Sequence, residues 1–481
     1  MKSNRLRRYL VALPLLLLCA TNVAAESPTV HIEYQERVDE TSGLRYVLAE
    51  GTMSGTVRGA VTYTVPVQIH YPTDGGNGTA VLELTNSALL FFHLKNRGDR
   101  PGDHRSDADD IDELEAMQVN FGWAGAREYL LRNGFTHMAI QYSKAVTDFM
   151  GEEPPEGRTR RRLCYGRIER ASDGYEIVRD AARWLAAPGA LTGDAPPVPP
   201  HDHVIAYGLS GTGYFLRDYL IRGENAGGEI DGFFVHAAGS KCLAPIDDTA
   251  DCPEGAICIG SPRFSHWFTC PGPPPTNGAK VLAIDSQSDM EFNDGALARE
   301  GEVDDPDYVR WEVAGAPHVP VFAMDLTRLG APHQNPMDWS PIWRSAFHYL
   351  DRWVKQGTAP PTAPPIEGRM VSTEDGDVWK CDLDADGNAL GGIRLPPIEA
   401  PEGVYTGFDF SWLDPTVSMG HQYAIVFAYG GRFERFSDEM LAERYPTEAD
   451  YREALEAAAR RAFDAGYILE EDLRRYSAAP R

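Results

Sequence analysis

The stretch His203–Leu220, HVIAYGLSGTGYFLRDYL, constrains this chain more than any other. Val204, Ile205, Ala206 and Tyr207 form an apolar run that Gly208 ends, too short for a helix and suited to a buried strand. From Tyr214 onward, Tyr214, Phe215, Leu216, Tyr219 and Leu220 recur at helical spacing. A strand that turns sharply into a helix, with Ser210 at the bend and Gly208, Gly211 and Gly213 around it, has the layout of a nucleophile elbow. Such a turn presents its hydroxyl at the edge of a sheet, and small neighbours let the backbone pass close. The usual pattern has glycine two residues after the serine. Here that position is Thr212, and glycine comes one step later. Taken alone the turn is weak evidence, because any strand–turn–helix loop can require glycine.

A serine nucleophile needs a base, and the base needs an orienting acid. In this architecture the chain order is serine, acid, histidine, each partner following a later strand. The expected strand Lys280–Ile284 runs into Asp285-Ser-Gln-Ser-Asp289-Met-Glu291, and Asp289 sits at the loop position from which a carboxylate reaches an imidazole. Asp285 is assigned to the strand end and Glu291 is the fallback acid. The expected strand Tyr308–Val313 runs into Ala314-Gly-Ala-Pro-His318, which makes His318 the base. His333, in Gly330-Ala-Pro-His333, imitates that motif without a preceding strand. The oxyanion hole is expected from two backbone N–H groups, one on Gly211 and one after the strand Thr79–Thr85, at Asn86 or Ser87.

The wider pattern fits this placement. Residues 30–69 alternate apolar and polar, as antiparallel strands do. From Thr79 to Ser210, strands then alternate with helices over Ala124–Arg132 and Asp173–Leu185, which argues an α/β chain with a mostly parallel sheet flanked by helices. Lys241–Pro275, proline-rich and without regular periodicity, reads as a disulfide-pinned cap over the carboxyl edge of the sheet. Residues 26–481 are expected to form one domain, with that cap near 241–275 and a C-terminal extension near 366–481. The extension reads as strand-poor, then as two helices over Asp438–Arg475. Polar insertions are expected at 96–113 and 152–162. Asp382-Leu-Asp-Ala-Asp386-Gly387 looks like the start of a calcium loop, but Ile393 occupies the position of the required glutamate, so a turn is expected. Trp123, Phe264, Trp267 and Phe268 could line a pocket, though aromatics on such segments usually serve packing.

A net charge near -26 makes nucleic acid and anionic membranes poor partners. Lys2, Arg5, Arg7 and Arg8 precede an apolar run from Tyr9 to Ala20, with Val23-Ala24-Ala25 as a cleavage site, so residues 1–25 read as a signal peptide. Arg7-Arg8 leaves the twin-arginine route open beside the general one. The mature chain is therefore expected to be exported, periplasmic or secreted, without a stable membrane anchor. It would keep Cys164, Cys242, Cys252, Cys258, Cys270 and Cys381, an even number that suggests disulfides of unspecified pairing.

These residues resemble the α/β-hydrolase superfamily, and most closely a bacterial family described as α/β-hydrolase domain proteins. That family carries an elbow of the form G-x-S-x-S-G, which Gly208-Leu-Ser-Gly-Thr-Gly213 follows with threonine for the second serine. Its W-E-x-A-G-x-x-H segment is matched by Trp311–His318, and its C-terminal part by Asp386–Pro396, Tyr445-Pro446 and Ala465-Gly466. The resemblance spans nearly the whole mature chain. It implies an α/β-hydrolase fold and serine-dependent hydrolysis without naming a substrate. The expectation is hydrolysis of a small-molecule carboxylic ester or lactone by Ser210, His318 and Asp289, with no metal or organic cofactor required. An acyltransferase or peptidase with the same residues, or a non-catalytic binding module, are the alternatives.

Overall fold

The structure, a computed structural model, describes residues 27–38, 45–86, 120–144, 167–191, 195–245, 257–259, 265–300, 305–322, 325–329, 333–373, 376–413 and 427–478. The signal-peptide segment, Ser87, the two polar insertions, Cys164, Cys252 and Phe264 lie outside the described residues.

Three long strands, β1 (Thr29–Val38), β2 (Tyr46–Val57) and β3 (Val61–Pro72), pair antiparallel at one side of a nine-stranded sheet. Next come β4 (Thr79–Leu84), helix α1 (Phe121–Arg132), β5 (Thr136–Ile140), helix α2 (Asp173–Ala186) and β6 (His203–Leu209). Helix α3 (Gly211–Ile221) and β7 (Gly232–His236) follow the elbow. Among the described residues the sheet order is completed by β11 (Lys280–Ser286) and β12 (Tyr308–Val313), as β1-β2-β3-β5-β4-β6-β7-β11-β12. Every pairing from β5 onward in that order is parallel. This is the α/β-hydrolase fold, and the switch from antiparallel to parallel falls at the β3–β5 pair.

The parallel strands are buried on both faces, which is why they read as continuous apolar runs. In β6, Val204 and Ala206 join one core with Trp184 of α2 and Phe215 of α3. Ile205, Tyr207 and Leu209 join the other, with Phe121 of α1 and Trp343. The two-residue period of a strand thus feeds two helical layers at once. Trp343 lies on α5 (Ser340–Gln356), whose Ile342, Trp343, Ala346, Phe347, Leu350 and Trp353 make one buried stripe. Gly357, at φ 69°, ends this helix in the left-handed conformation that glycine supplies.

Two sequence expectations need correction. The segment from Lys241, read as lacking periodicity, forms a small antiparallel sheet of β8 (Lys241–Pro245), β10 (Ser265–Thr269) and β9 (Ile257–Ile259). Cys242 and Cys270 are disulfide-bonded, and buried Arg217 of α3 donates to the carbonyls of Cys270 and Gly272, tying this sheet to the elbow helix. Cys381, by contrast, is a free thiol whose Sγ contacts Glu291 at 2.8 Å, so the six cysteines do not all pair.

The extension is also richer in strands than expected. It holds the pairs β13 (Gly368–Thr373) with β14 (Gly376–Cys381) and β15 (Gly403–Thr406) with β16 (Arg432–Arg435). Three helices follow, not two: Asp438–Arg444, Glu448–Asp464 and Glu470–Ala478. Residues 445–447 part the first two, where Thr447 caps the second through a reciprocal bond with Asp450. The extension also covers the edge of β12, since Ile393 N–H donates to the Glu312 carbonyl at 2.7 Å and Ala314 N–H to the Ile393 carbonyl at 3.1 Å. The Asp382–Gly387 segment is a turn, with Asp384 accepting from the N–H groups of Asp386 and Asn388.

Candidate active site

The elbow is built locally. Ser210 has φ 56° and ψ −124°, a left-handed conformation that side chains rarely adopt, and it is held there by its surroundings. Its N–H donates to the His236 carbonyl at 2.9 Å, and its own carbonyl accepts from Tyr214 N–H at 2.8 Å. A Cβ on Gly213 would lie 2.6 Å from the His236 carbonyl oxygen, so no larger residue fits unless the backbone shifts. Thr212 has a structural reason to depart from glycine. Its Oγ accepts from Leu209 N–H at 2.8 Å and donates to the Leu209 carbonyl at 2.9 Å, closing the turn on itself.

Asp289 lies not on a loop but in the first turn of a short helix, α4 (Gln287–Phe292). The spacing Ser286-x-x-Asp289 is a helix-start signal visible in the sequence, and it forms a capping box here. Asp289 Oδ2 accepts from Ser286 N–H at 2.8 Å and from Ser286 Oγ at 2.6 Å. Its Oδ1 accepts from Asn293 Nδ2 at 2.8 Å and faces His318 Nδ1 at 2.6 Å. Burial by itself would raise the carboxyl. The charge and hydrogen bond of His318, with the Ser286 donors, outweigh it and hold Asp289 below the usual carboxylate range.

On the other side of the ring, His318 Nε2 lies 2.7 Å from Ser210 Oγ. The structure therefore brings Ser210, His318 and Asp289 into one hydrogen-bonded line. The rival positions are engaged elsewhere. Asp285 is the penultimate residue of β11 and accepts from Gly239 N–H and Arg310, Glu291 faces Cys381 and Gln287, and His333 is exposed.

Gly211 opens α3, where a first-turn N–H has no acceptor within the helix. Asn86 is buried beside the elbow, and its Nδ2 donates to the Leu209 carbonyl at 2.7 Å. That fixes the end of β4 against the serine turn. Trp123 stacks on His70 at 3.7 Å and belongs to the packing of α1 on the sheet.

Several side chains around the line were not anticipated. Tyr214, one helical turn after Ser210, is fully buried on α3. Tyr429 comes from the extension; its ring lies 4.2 Å from that of His318, and its hydroxyl donates to Asn293 Oδ1 at 2.9 Å. Gln287 accepts from Gly315 N–H at 2.9 Å, coupling α4 to the histidine loop. Buried Asn335 joins that loop to the extension by donating to the carbonyls of Gly315 and Thr406. Tyr214 stands four residues from Ser210, a readable helical neighbour, whereas Tyr429 has no local signal at all. Below the turn, fully buried His236 meets the Tyr207 hydroxyl at 3.0 Å, and burial lowers its pKa to about 3. Among the described residues no group of three or more His, Cys, Asp or Glu side chains is arranged to hold a metal, and none is assigned to one.

The parallel sheet and the strained serine at a strand–helix turn define an α/β hydrolase. A family model described as "Alpha/beta hydrolase domain" matches residues 110–478, and the chain belongs to that family. Solved structures similar to it include a CE15 glucuronoyl esterase from Teredinibacter turnerae, at 10% identity and TM-score 0.26, covering 55% of this chain and 62% of that one. This chain thus spans less than two thirds of that enzyme's length. The esterase Est22 is similar at 10% identity and TM-score 0.30, covering 69% and 82%. An esterase from Pyrobaculum calidifontis is similar at 12% identity and TM-score 0.28, covering 69% and 87%. At these scores the likenesses carry no argument about activity. No curated protein sequence matches the chain.

Proposed function

We propose that this protein is an exported serine hydrolase that cleaves a small carboxylic ester or lactone through an acyl-enzyme. The observation that carries the reading is the pair of hydrogen bonds at His318, 2.7 Å to Ser210 Oγ and 2.6 Å to Asp289. Ser210 Oγ attacks the carbonyl carbon while its proton passes to His318 Nε2. Asp289 keeps the other ring nitrogen protonated and stabilises the imidazolium that forms. The carbonyl oxygen becomes an oxyanion, held by the Gly211 N–H and by a second donor at Asn86. Each such donor is worth about 10²–10³ in rate. Collapse of the tetrahedral adduct expels the alcohol, which takes the proton from His318. A water molecule, deprotonated by the same ring, then releases the acid and restores Ser210.

No step requires a metal or organic cofactor. The Cys242–Cys270 disulfide supports an oxidising compartment and hence the export reading. No described helix is long and apolar enough to cross a membrane.

Labelling of the mature protein with a fluorophosphonate probe tests the assignment. The wild type is expected to label, Ser210→Ala not at all, and His318→Ala far more slowly. Folded wild type that fails to label, or a Ser210→Ala variant that labels equally well, would overturn it.

A further inference from the structure

We infer that Gln287, oriented by Glu291 and the Cys381 thiol, is a positioning residue for His318, because it fixes the loop that carries the base. The inference rests on the reading of Ser210, His318 and Asp289 as the reacting set. Four hydrogen bonds carry it. Gln287 Oε1 accepts from the N–H of Gly315, on the loop leading to His318, at 2.9 Å. Gln287 Nε2 donates to Glu291 Oε1 at 3.2 Å and to Cys381 Sγ at 3.2 Å. Cys381 Sγ in turn donates to the same Glu291 oxygen at 2.8 Å. Gln287 is only 2% exposed, so water does not compete for these bonds.

Hydrogen accounting leaves the Gln287 amide one orientation. Gly315 N–H can only donate, so Gln287 must turn its oxygen toward the loop. Its two amide hydrogens then point away from the loop and need two acceptors. Glu291 Oε1 supplies one and Cys381 Sγ the other. Cys381 keeps its own hydrogen, because burial and the neighbouring Glu291 charge push the thiol pKa far up, and that hydrogen goes to Glu291. A flipped amide would set its NH2 against Gly315 N–H and its oxygen against the Glu291 oxygen, two repulsive contacts. Glu291 and Cys381 thus hold Gln287 in the orientation that grips the loop.

Gly315 is gripped on both sides, since its carbonyl accepts from Asn335 Nδ2 at 2.7 Å. Gln287 also stands on the first turn of α4, the turn that holds Asp289. One side chain therefore references the loop of the base to the helix of the acid, and the 2.6 Å contact between His318 and Asp289 depends on that spacing. The thiol comes from β14 in the C-terminal extension, so a segment outside the strand–helix scaffold of Ser210 helps set the spacing. Cys381 also packs beside the buried cluster of Met290 and Ala314, a role from which its hydrogen bonds have to be separated.

The test uses the mature chain and a fluorophosphonate probe, with the saturating labelling rate and the half-saturating probe concentration measured separately. Gln287→Met keeps the length of the side chain and removes its amide. Cys381→Ala removes the thiol, and Cys381→Ser keeps a donor toward Glu291. Gln287→Met is expected to lower the saturating rate about tenfold and Cys381→Ala about threefold, both at unchanged half-saturation, with Cys381→Ser recovering most of the second loss. Because Cys381 acts through Gln287, Cys381→Ala is expected to cost nothing further in the Gln287→Met background, whereas independent packing effects would multiply. Cys381 is half-buried, so its Ala and Ser variants still decide the matter if Gln287→Met does not fold. Wild-type rates in folded Gln287→Met or in Cys381→Ala, or losses that multiply in the double variant, would overturn the inference in a protein that labels at Ser210 and leave the serine assignment standing. A folded wild type that does not label would overturn both.

Discussion

Ser210 and His318 meet at 2.7 Å, yet the two sides of that bond are built in opposite ways. The serine side is local. Strand β6, the turn and α3 are consecutive in the chain, and the turn is closed by Thr212 bonding a residue three positions away. The histidine side is assembled from segments far apart. Its loop is tied to α4 by Gln287, 28 residues distant, to Asn335, 20 residues distant, and to Tyr429, whose carbonyl accepts from Val319 N–H at 3.0 Å. Gly407 belongs to the same arrangement, since a Cβ there would come within 2.5 Å of Ser288 N. A local turn can hold a strained serine because its own helix and strand fix both ends. A base on a loop has no such support and must borrow it from remote chain.

If that contrast is right, the largest loss should come from cutting a remote tie. Asn335 is fully buried, donates to Gly315 O at 2.7 Å and Thr406 O at 3.0 Å, and accepts from Met337 N–H at 2.9 Å. Asn335→Ala strands these groups in the interior, and a cost of about 3 kcal/mol in urea unfolding is expected. Fluorophosphonate labelling should fall with it, since the His318 loop loses an anchor. An Asn335→Ala protein as stable and as readily labelled as wild type would break the comparison.

The same contrast explains what could be read from the chain. The elbow was legible because all its determinants lie within Gly208–Leu220: an apolar run, small residues, then helical periodicity. Asp289 and His318 were legible because each follows an apolar strand, in the order that a parallel sheet imposes. The helical setting of Asp289 was missed although Ser286-x-x-Asp289 marks a helix start, because the segment holds too few apolar residues to show a period. Tyr429, Asn293 and Asn335 left no trace. Hydrogen bonds between side chains tens of residues apart depend on where the fold places each segment, and no spacing along the chain encodes that.

The floor of the elbow gives an intermediate effect and a pH dependence. His236 lends its carbonyl to Ser210 N–H, while its ring is enclosed by Tyr207, Phe234, Trp339 and Trp343. Burial lowers its pKa from 6.5 to about 3; beyond the enclosing rings, the Asp289 charge pulls it up and His318 pushes it down. Between those two values the unfolded chain binds the proton and the folded chain does not. Stability from this group is thus complete above the unfolded pKa and falls as the solution is acidified, by about 2 kcal/mol at about pH 5. Urea unfolding of wild type and His236→Gln, whose side chain does not titrate, isolates the contribution. The wild type should lose about 2 kcal/mol relative to the variant between about pH 7.5 and about pH 5. A difference that stays constant across that window would show that His236 takes up no extra proton on unfolding.

The smallest effect should come from the local clasp itself. Thr212 Oγ bonds both the N–H and the carbonyl of Leu209, and the same carbonyl also accepts from Asn86 Nδ2. Thr212→Val keeps the shape, deletes the hydroxyl, and leaves the Leu209 carbonyl with its second donor. The expected loss is therefore about 1 kcal/mol, near the low end for a buried hydrogen-bonding group left without its partner. Thr212→Ser restores the hydroxyl and should restore most of that stability. Two consequences separate a clasp from simple packing: the Ser variant should outperform Val despite its smaller volume, and labelling of Ser210 should follow the same rank. If Val were the more stable of the two, methyl packing at position 212 would be the stronger term, and the serine side of the site would owe its geometry to the glycines and to α3 alone.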